Sequence, residues 1–243
     1  MHFNTVVFFL LISFAQPLLA YDLDASLRWW NPQTRGTVGD IGQGASVHDK
    51  SDTGHALAFK IDFGRTITEL VYSRFNIGSP ILDNNELMSV PFMTSNQSQF
   101  IVKMDTYDLH ARNLIHKNKN LSLRWSYGIT YLEADVSQSD VLGSSARMDS
   151  AGAVPMLGIE GEWFISNRLS FRSHYRFGDR NIGSDDMRLK DFEVALIWAP
   201  WSEANLEFGY RNLSVDLTKQ FDNHQTSLKQ DYRGMYSQLN WQF

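Results

Sequence analysis

Large apolar residues recur at every second position along most of the chain. In LSLRWSYGITY (121–131), Leu121, Leu123, Trp125, Tyr127, Ile129 and Tyr131 share one face, and Ser122, Arg124, Ser126, Gly128 and Thr130 share the other. RLSFRSHYRF (168–177) sets Leu169, Phe171, Tyr175 and Phe177 against Ser170, Arg172, His174 and Arg176. LAFKIDF (57–63) opposes Leu57, Phe59, Ile61 and Phe63 to Ala58, Lys60 and Asp62. A repeat of two is the side-chain period of a β-strand, and no stretch shows the i, i+3, i+4 spacing of an amphipathic helix. Ten runs follow the pattern: 22–31, 54–63, 66–76, 99–113, 120–134, 152–164, 168–178, 190–201, 205–216 and 230–243.

The connections alternate in length. Short ones fall at 64–65, 116–119, 165–167 and 202–204; long polar ones at 32–53, 77–98, 135–151, 179–189 and 217–229. A hairpin repeated five times within one domain fits this layout. Two runs are irregular. In 66–75, Leu70 and Tyr72 lie on one face but Val71 and Phe75 on the other; 100–111 changes phase midway, as a β-bulge makes a strand do.

The first twenty residues stand apart. VVFFLLISFA followed by PLLA reads as a secretory signal peptide, residues 1–20, with Ala20 before the cut and His2 where Lys or Arg is usual. The run is shorter than the ~20 apolar residues of a spanning helix. The expected mature domain is therefore 21–243. A net charge of −5 gives no basic footprint for nucleic acid, and the absence of cysteine excludes disulfides, thiolate metal sites and thiol nucleophiles.

Alternation fits a soluble barrel with its apolar face inward or a membrane barrel with that face outward. Three features favour the membrane. The polar face carries both signs of charge: Asp22, Asp24, Arg28, Lys60, Asp62, Lys103, Asp105, Arg124, Glu160, Glu162, Arg172, Arg176, Asp191, Glu193, Glu207 and Arg211. Aromatic residues crowd the strand ends in two belts. Phe63, Trp163, Phe164, Trp198, Trp201, Trp241 and Phe243 lie near the short turns; Trp29, Trp30, Tyr131, Tyr175, Phe177 and Tyr210 lie toward the long loops. All short turns fall at one end.

The chain closes on LNWQF, with Leu239, Trp241 and Phe243 on one strand face. With the signal peptide, even strand count and loop asymmetry, this terminus resembles the Gram-negative outer-membrane β-barrels, of the small OmpA/OmpW-like type. The expected fold is an all-β, closed, antiparallel up-and-down transmembrane barrel of ten strands, with eight, the number common in that type, as the alternative. The resemblance implies location in the outer membrane, among its lipid and lipopolysaccharide. It also implies that Leu239, Trp241 and Phe243 form a signal for the barrel-assembly machinery and that the last strand pairs with the first.

Catalytic patterns of such barrels match poorly. Omptin-like proteases use an Asp-x-His pair at the outer rim. Here Asp108 and His110 lie on a descending strand and are expected near the periplasmic end, as a polar strand end by the headgroups. The His-x-Ser of lipid A deacylase barrels has no counterpart, since His174 is followed two residues on by Arg176. The acidic segments 83–86 and 184–186 lack ligand spacing, and GDIGQG (39–44) lacks a strand-to-helix context. No cofactor, metal site or catalytic residue is expected. The expected luminal charge network is Arg28, Lys60, Asp62, Arg124, Glu160, Glu162, Arg172, His174, Arg176, Glu193, Glu207 and Arg211, with Arg172 and Arg176 serving Glu160 and Glu162. It points to a plugged barrel with a structural or loop-mediated binding role. A narrow pore for small polar solutes and an outer-membrane hydrolase are the alternatives.

Overall fold

A computed structural model describes residues 22–40, 45–51, 54–80, 99–139, 145–182, 185–220 and 225–243. The expected signal peptide and the acidic segment 83–86 lie outside them, as does part of 39–44 and of 184–186. Among the described residues every element is a strand: β1 (Asp22–Asp40), β2 (Ala45–Ser51), β3 (Gly54–Asp62), β4 (Thr66–Pro80), β5 (Gln99–Lys117), β6 (Leu121–Ser139), β7 (Ser145–Ser166), β8 (Leu169–Ile182), β9 (Asp185–Trp198), β10 (Ala204–Gln220) and β11 (Gln225–Gln242). From β3 to β11 each pairs antiparallel with the next in sequence, β1 pairs with both β2 and β3, and β11 returns to β1. β2 and β3 pair with the upper and lower parts of β1, so they make one stave of a closed ten-stave barrel.

The seam explains the apolar terminus. β11 pairs with β1 from Asp24↔Gln242 to Asp40↔Thr226, and the Phe243 amide donates to the Leu23 carbonyl at 2.9 Å. Closure leaves no open edge at the level where lipid surrounds the wall, where each unpaired backbone group costs several kcal/mol.

The lower turns are tight because side chains complete them. Asp62 accepts from the Gly64 amide at 2.6 Å, and Gly64 takes a φ of 78°, a left-handed conformation open to glycine. The Asn118 side chain accepts from the amides of Asn120 and Leu121, both at 2.8 Å.

The apolar face points outward. Leu57, Phe59, Leu109, Trp125, Ile129, Ile159, Phe171, Leu196 and Phe208 are exposed, whereas Glu160, Arg176, Asp191 and Glu207 are buried. Phe63, Trp163, Trp198, Trp201, Trp241 and Phe243 girdle the lower rim; Trp29, Tyr107, Tyr131, Tyr175 and Phe177 mark the upper boundary. Trp30 departs from the expected belt: it turns inward and is 3% exposed.

The strands run well past the ten apolar runs, into segments expected as loops. Above the upper girdle the alternation inverts while the register holds. On β5 the residues Val102, Met104, Thr106, Asp108, His110 and Arg112 all face inward and are buried. Lys103 and Asp105, expected in the lumen, therefore face outward. The phase change in 100–111 is not a bulge; pairing with β4 is unbroken, and with β6 it shifts only between Leu114 and His116. What changes is the surrounding medium, lipid below and water above, so the favoured exterior switches from apolar to charged.

Pairing shows how the upper part closes. β7 and β8 pair only up to Met156↔Gly178, and β3 and β4 only up to His55↔Arg74. Above those points the wall divides into two sheets, β4–β5–β6–β7 and β8–β9–β10–β11–β1–β2. Their inner faces form one apolar cluster, with Phe75, Val102, Met104, Leu132, Val136, Val154 and Met156 from the first meeting Trp30, Met187, Leu189, Leu213, Val215, Leu217, Leu228 and Tyr232 from the second. Phe75 bridges the two, its ring 5.2 Å from Trp30 and 5.6 Å from Tyr232. The molecule is a membrane-type barrel below and a β-sandwich above.

Candidate functional site

The lumen between the girdles is filled by ionised side chains that alternation aims inward. On one side Arg112 donates to Glu69 at 2.6 Å and to Glu160 at 2.7 Å. His110 lies 3.4 Å from both Glu69 and Asp108. Asp108 accepts from Thr130 at 3.2 Å and pairs closely with Arg176. Arg176 also donates to Asp191 at 2.9 Å, and Asp191 receives Arg211 through two bonds of 2.9 and 3.0 Å. Arg211 reaches Glu193 at 3.7 Å, and Glu193 is held by Arg28 at 2.7 Å. Arg172 lies 2.5 Å from Glu207 and 3.8 Å from Glu193. The Tyr236 hydroxyl contacts both carboxylates, 3.0 Å from Glu193. Arg28 donates to Gln238 at 2.6 Å and stacks 4.3 Å over the Tyr236 ring.

This is one connected chain of charges spanning the lumen, and it touches every stave but that of β2 and β3. Burying a charge is tolerable only with a partner of good geometry. Here each carboxylate from Glu69 to Glu207 has at least one cation, and the two-bond Arg211–Asp191 contact is the strong, directional kind. The space left is a cavity of about 60 Å³, lined by residues including Arg112, Glu160, Arg172, His174 and Arg176. That holds a few waters at most.

Arg28, Glu160, Arg172, Arg176, Glu193, Glu207 and Arg211 come together as a cluster. His174 faces the same lumen, its ring 6.4 Å from that of His110. Three expected members stand apart. Asp62 caps the lower turn through Gly64. Lys60 pairs with Asp24 at the lower end. Glu162 accepts from Ser170 at 2.6 Å. Arg124 faces inward, with one buried guanidinium nitrogen lacking a hydrogen-bond partner. The expected pairing is also corrected: Arg112 serves Glu160, while Arg172 and Arg176 serve Glu207, Asp108 and Asp191.

The expected network lacks Glu69, Asp108, His110, Arg112 and Asp191, along with Tyr236 and Gln238. Asp108 and His110 do not lie at a strand end by the headgroups. They are 6% and 5% exposed at the centre of the lumen. Following one parity through 102–112 finds all three β5 residues. Tyr236 and Gln238 carry no charge, and their inward parity on β11 is the only signal. Among the described residues no group of three His, Asp or Glu side chains is placed to hold a metal.

Comparison with solved structures gives the fold a wider setting. The outer membrane protease OmpT from Escherichia coli is similar with a TM-score of 0.52 at 9% identity, over 92% of this chain and 96% of that one. The translocator domain of autotransporter NalP from Neisseria meningitidis gives a TM-score of 0.47 at 11% identity, over 99% and 96% of the two chains. Neisserial surface protein A (NspA) gives 0.40 at 9% identity, over 92% and 97%. No protein-family model matches the chain, and neither does any curated protein. At 9% identity the likeness to OmpT is one of fold, that of the outer-membrane β-barrels.

Proposed function

We propose that the protein is a non-conducting, non-enzymatic outer-membrane barrel, anchored by its lower half and acting through the sandwich and loops it raises above the lipid. The observation that carries this reading is the double closure of the interior. A continuous ion-pair network leaves a cavity of about 60 Å³, and an apolar core covers it from above. Barrels of eight strands are filled by side chains and those of sixteen hold channels, and this ten-stave lumen stands with the filled kind. The girdles of aromatic residues place the lower half in lipid, and lipopolysaccharide surrounds the wall just above.

The buried Asp108–His110 pair supports the non-enzymatic reading. A His beside a carboxylate can activate water only where substrate reaches it. Here both groups already bind Arg176, under the apolar core, with no room for a peptide or an acyl chain. Among the described residues, single buried atoms of Arg112, Arg124, Ser126, His174, Arg176 and Glu207 lack a hydrogen-bond partner on the lumen wall, and the cavity of about 60 Å³ beside them is too small to take a solute.

Liposome swelling tests the proposal. Vesicles carrying the refolded mature chain in arabinose or glycine should swell no faster than empty vesicles, while vesicles with a general porin swell at once. Swelling that scales with the amount of this protein removes the closed-lumen reading in favour of a pore.

A further inference from the structure

The two-sheet division leaves β7 with an edge that no strand among the described residues pairs. β7 keeps β6 as its neighbour up to Ser145↔Ser139, and β8 keeps β9 up to Ile182↔Asp185. Between them the ladder stops at Met156↔Gly178. Pro155 stands at the stop and has no N–H to carry the ladder on. Among the described residues, 145–154 therefore have a strand on one side only, a longer unpaired edge than the upper parts of β4 (75–80) or β8 (179–182).

Two cations occupy this edge. Lys219, on β10, donates to the Asp149 carbonyl at 3.0 Å, a main-chain acceptor that a neighbouring strand would otherwise serve. Arg180 lies against Gly152 so closely that a Cβ there would meet its guanidinium at 1.7 Å. The only hydrogen-bond partner of Arg180 among the described residues is the Met187 thioether, at 3.8 Å. The strand itself is open to approach, since Ala151, Gly152 and Ala153 offer no bulk, and Arg147 is turned aside to Asp135 at 2.7 Å.

We propose that the free edge of β7, residues 149–154, is a docking site for an extended acidic peptide segment of another protein. The incoming strand takes over the main-chain bonds of β7, as in β-augmentation, and its carboxylate meets Arg180. Residues 149–152 of the edge lie above Tyr131, which pairs with Ala153 and ends the aromatic belt of β6, so they face water rather than acyl chains. A second copy is the poorer occupant. Two barrels fixed upright in one membrane bring their β7 strands together running the same way, which excludes the antiparallel pairing used throughout this fold. The proposal gives the raised portion a partner and rests on the proposed function only for that portion's exposure outside the cell.

The test uses the full mature chain in lipid nanodiscs and hydrogen exchange read by mass spectrometry. The probe is a decapeptide of alternating Thr and Val with one central Glu; controls replace the Glu by Lys or insert a Pro. Without peptide, amides of 149–153 should exchange at least about tenfold faster than those of 131–135 on β6. The Glu peptide should slow them about tenfold, and the Lys peptide should bind at least about tenfold more weakly. In the A153C/N181C variant, whose two positions meet if the ladder is continued, a disulfide closes the seam and should abolish protection. Protection that survives the disulfide, equal binding of both peptides, or no protection at about 1 mM Glu peptide overturns the proposal. So does protection that rises with protein concentration alone, which assigns the edge to a second copy. None of these outcomes alters the swelling result, so the two readings fail separately.

Discussion

Removing Arg176 is the sharpest test of the luminal network. Its guanidinium joins Asp108 on β5 to Asp191 on β9, and it is 5% exposed. The two carboxylates lose unequally in Arg176→Ala. Asp191 keeps both bonds from Arg211, at 2.9 and 3.0 Å. Asp108 keeps only His110 at 3.4 Å and the Thr130 hydroxyl at 3.2 Å. Breaking a buried pair by deleting one partner costs about 3–5 kcal/mol. Water entering from the adjoining cavity offsets part of this, so a loss of about 3 kcal/mol is expected. Asp108→Asn should then recover part of the loss when combined with Arg176→Ala, because the stranded charge is gone. Urea titration of protein refolded into vesicles, read by heat-modifiable mobility on gels, gives both numbers. Arg74→Ala is the control. The Arg74–Asp105 pair has a similar 2.8 Å geometry but lies on the exposed exterior, where such pairs are worth about 0–1 kcal/mol. A loss below about 1 kcal/mol for Arg176→Ala, additive with Asp108→Asn, refutes the claim that the lumen is held by a coupled buried network.

Other expectations follow from the same architecture. Arg in place of Ile129 or Phe171 should cost about 2–4 kcal/mol in the same titration, whereas Arg in place of Glu133, above the belt, should cost little. Leu132→Ala or Met104→Ala, in the sandwich core, should each cost about 2–5 kcal/mol; a loss below about 1 kcal/mol means the upper sheets are not packed. Deleting Phe243 removes its amide bond to Leu23 and the end of the expected assembly signal, so fractionation should find less protein in the outer membrane.

The barrel was legible because lipid imposes one rule on every stave. From Leu121 to Tyr131 each outward residue is apolar, and the run needs no partner strand to be recognised. The upper sandwich was not legible. Segments such as 135–139 and 217–220 read as polar loops because their apolar residues had moved to the opposite parity. Val136 and Leu217 are buried there, opposite in sense to Ile129 and Phe208 below. The same inversion hides half of the site, since a stretch that reads as a phase change over 100–111 conceals the single inward parity carrying Asp108, His110 and, just beyond it, Arg112. Partner choice was beyond the sequence as well. Which arginine meets Glu160 depends on strand register: Arg112 reaches it across β6, through the pairings Arg112↔Ser126 and Ser126↔Gly158.

Single-channel recording tests the closed lumen most directly. Refolded wild-type protein in planar bilayers should give no resolved steps, and Arg172→Ala/Arg176→Ala should stay silent as well, because the apolar core still covers the lumen from above. Steady, resolved wild-type channels, of a size no contaminating porin shows and with a double variant that changes mainly in ion selectivity, contradict it.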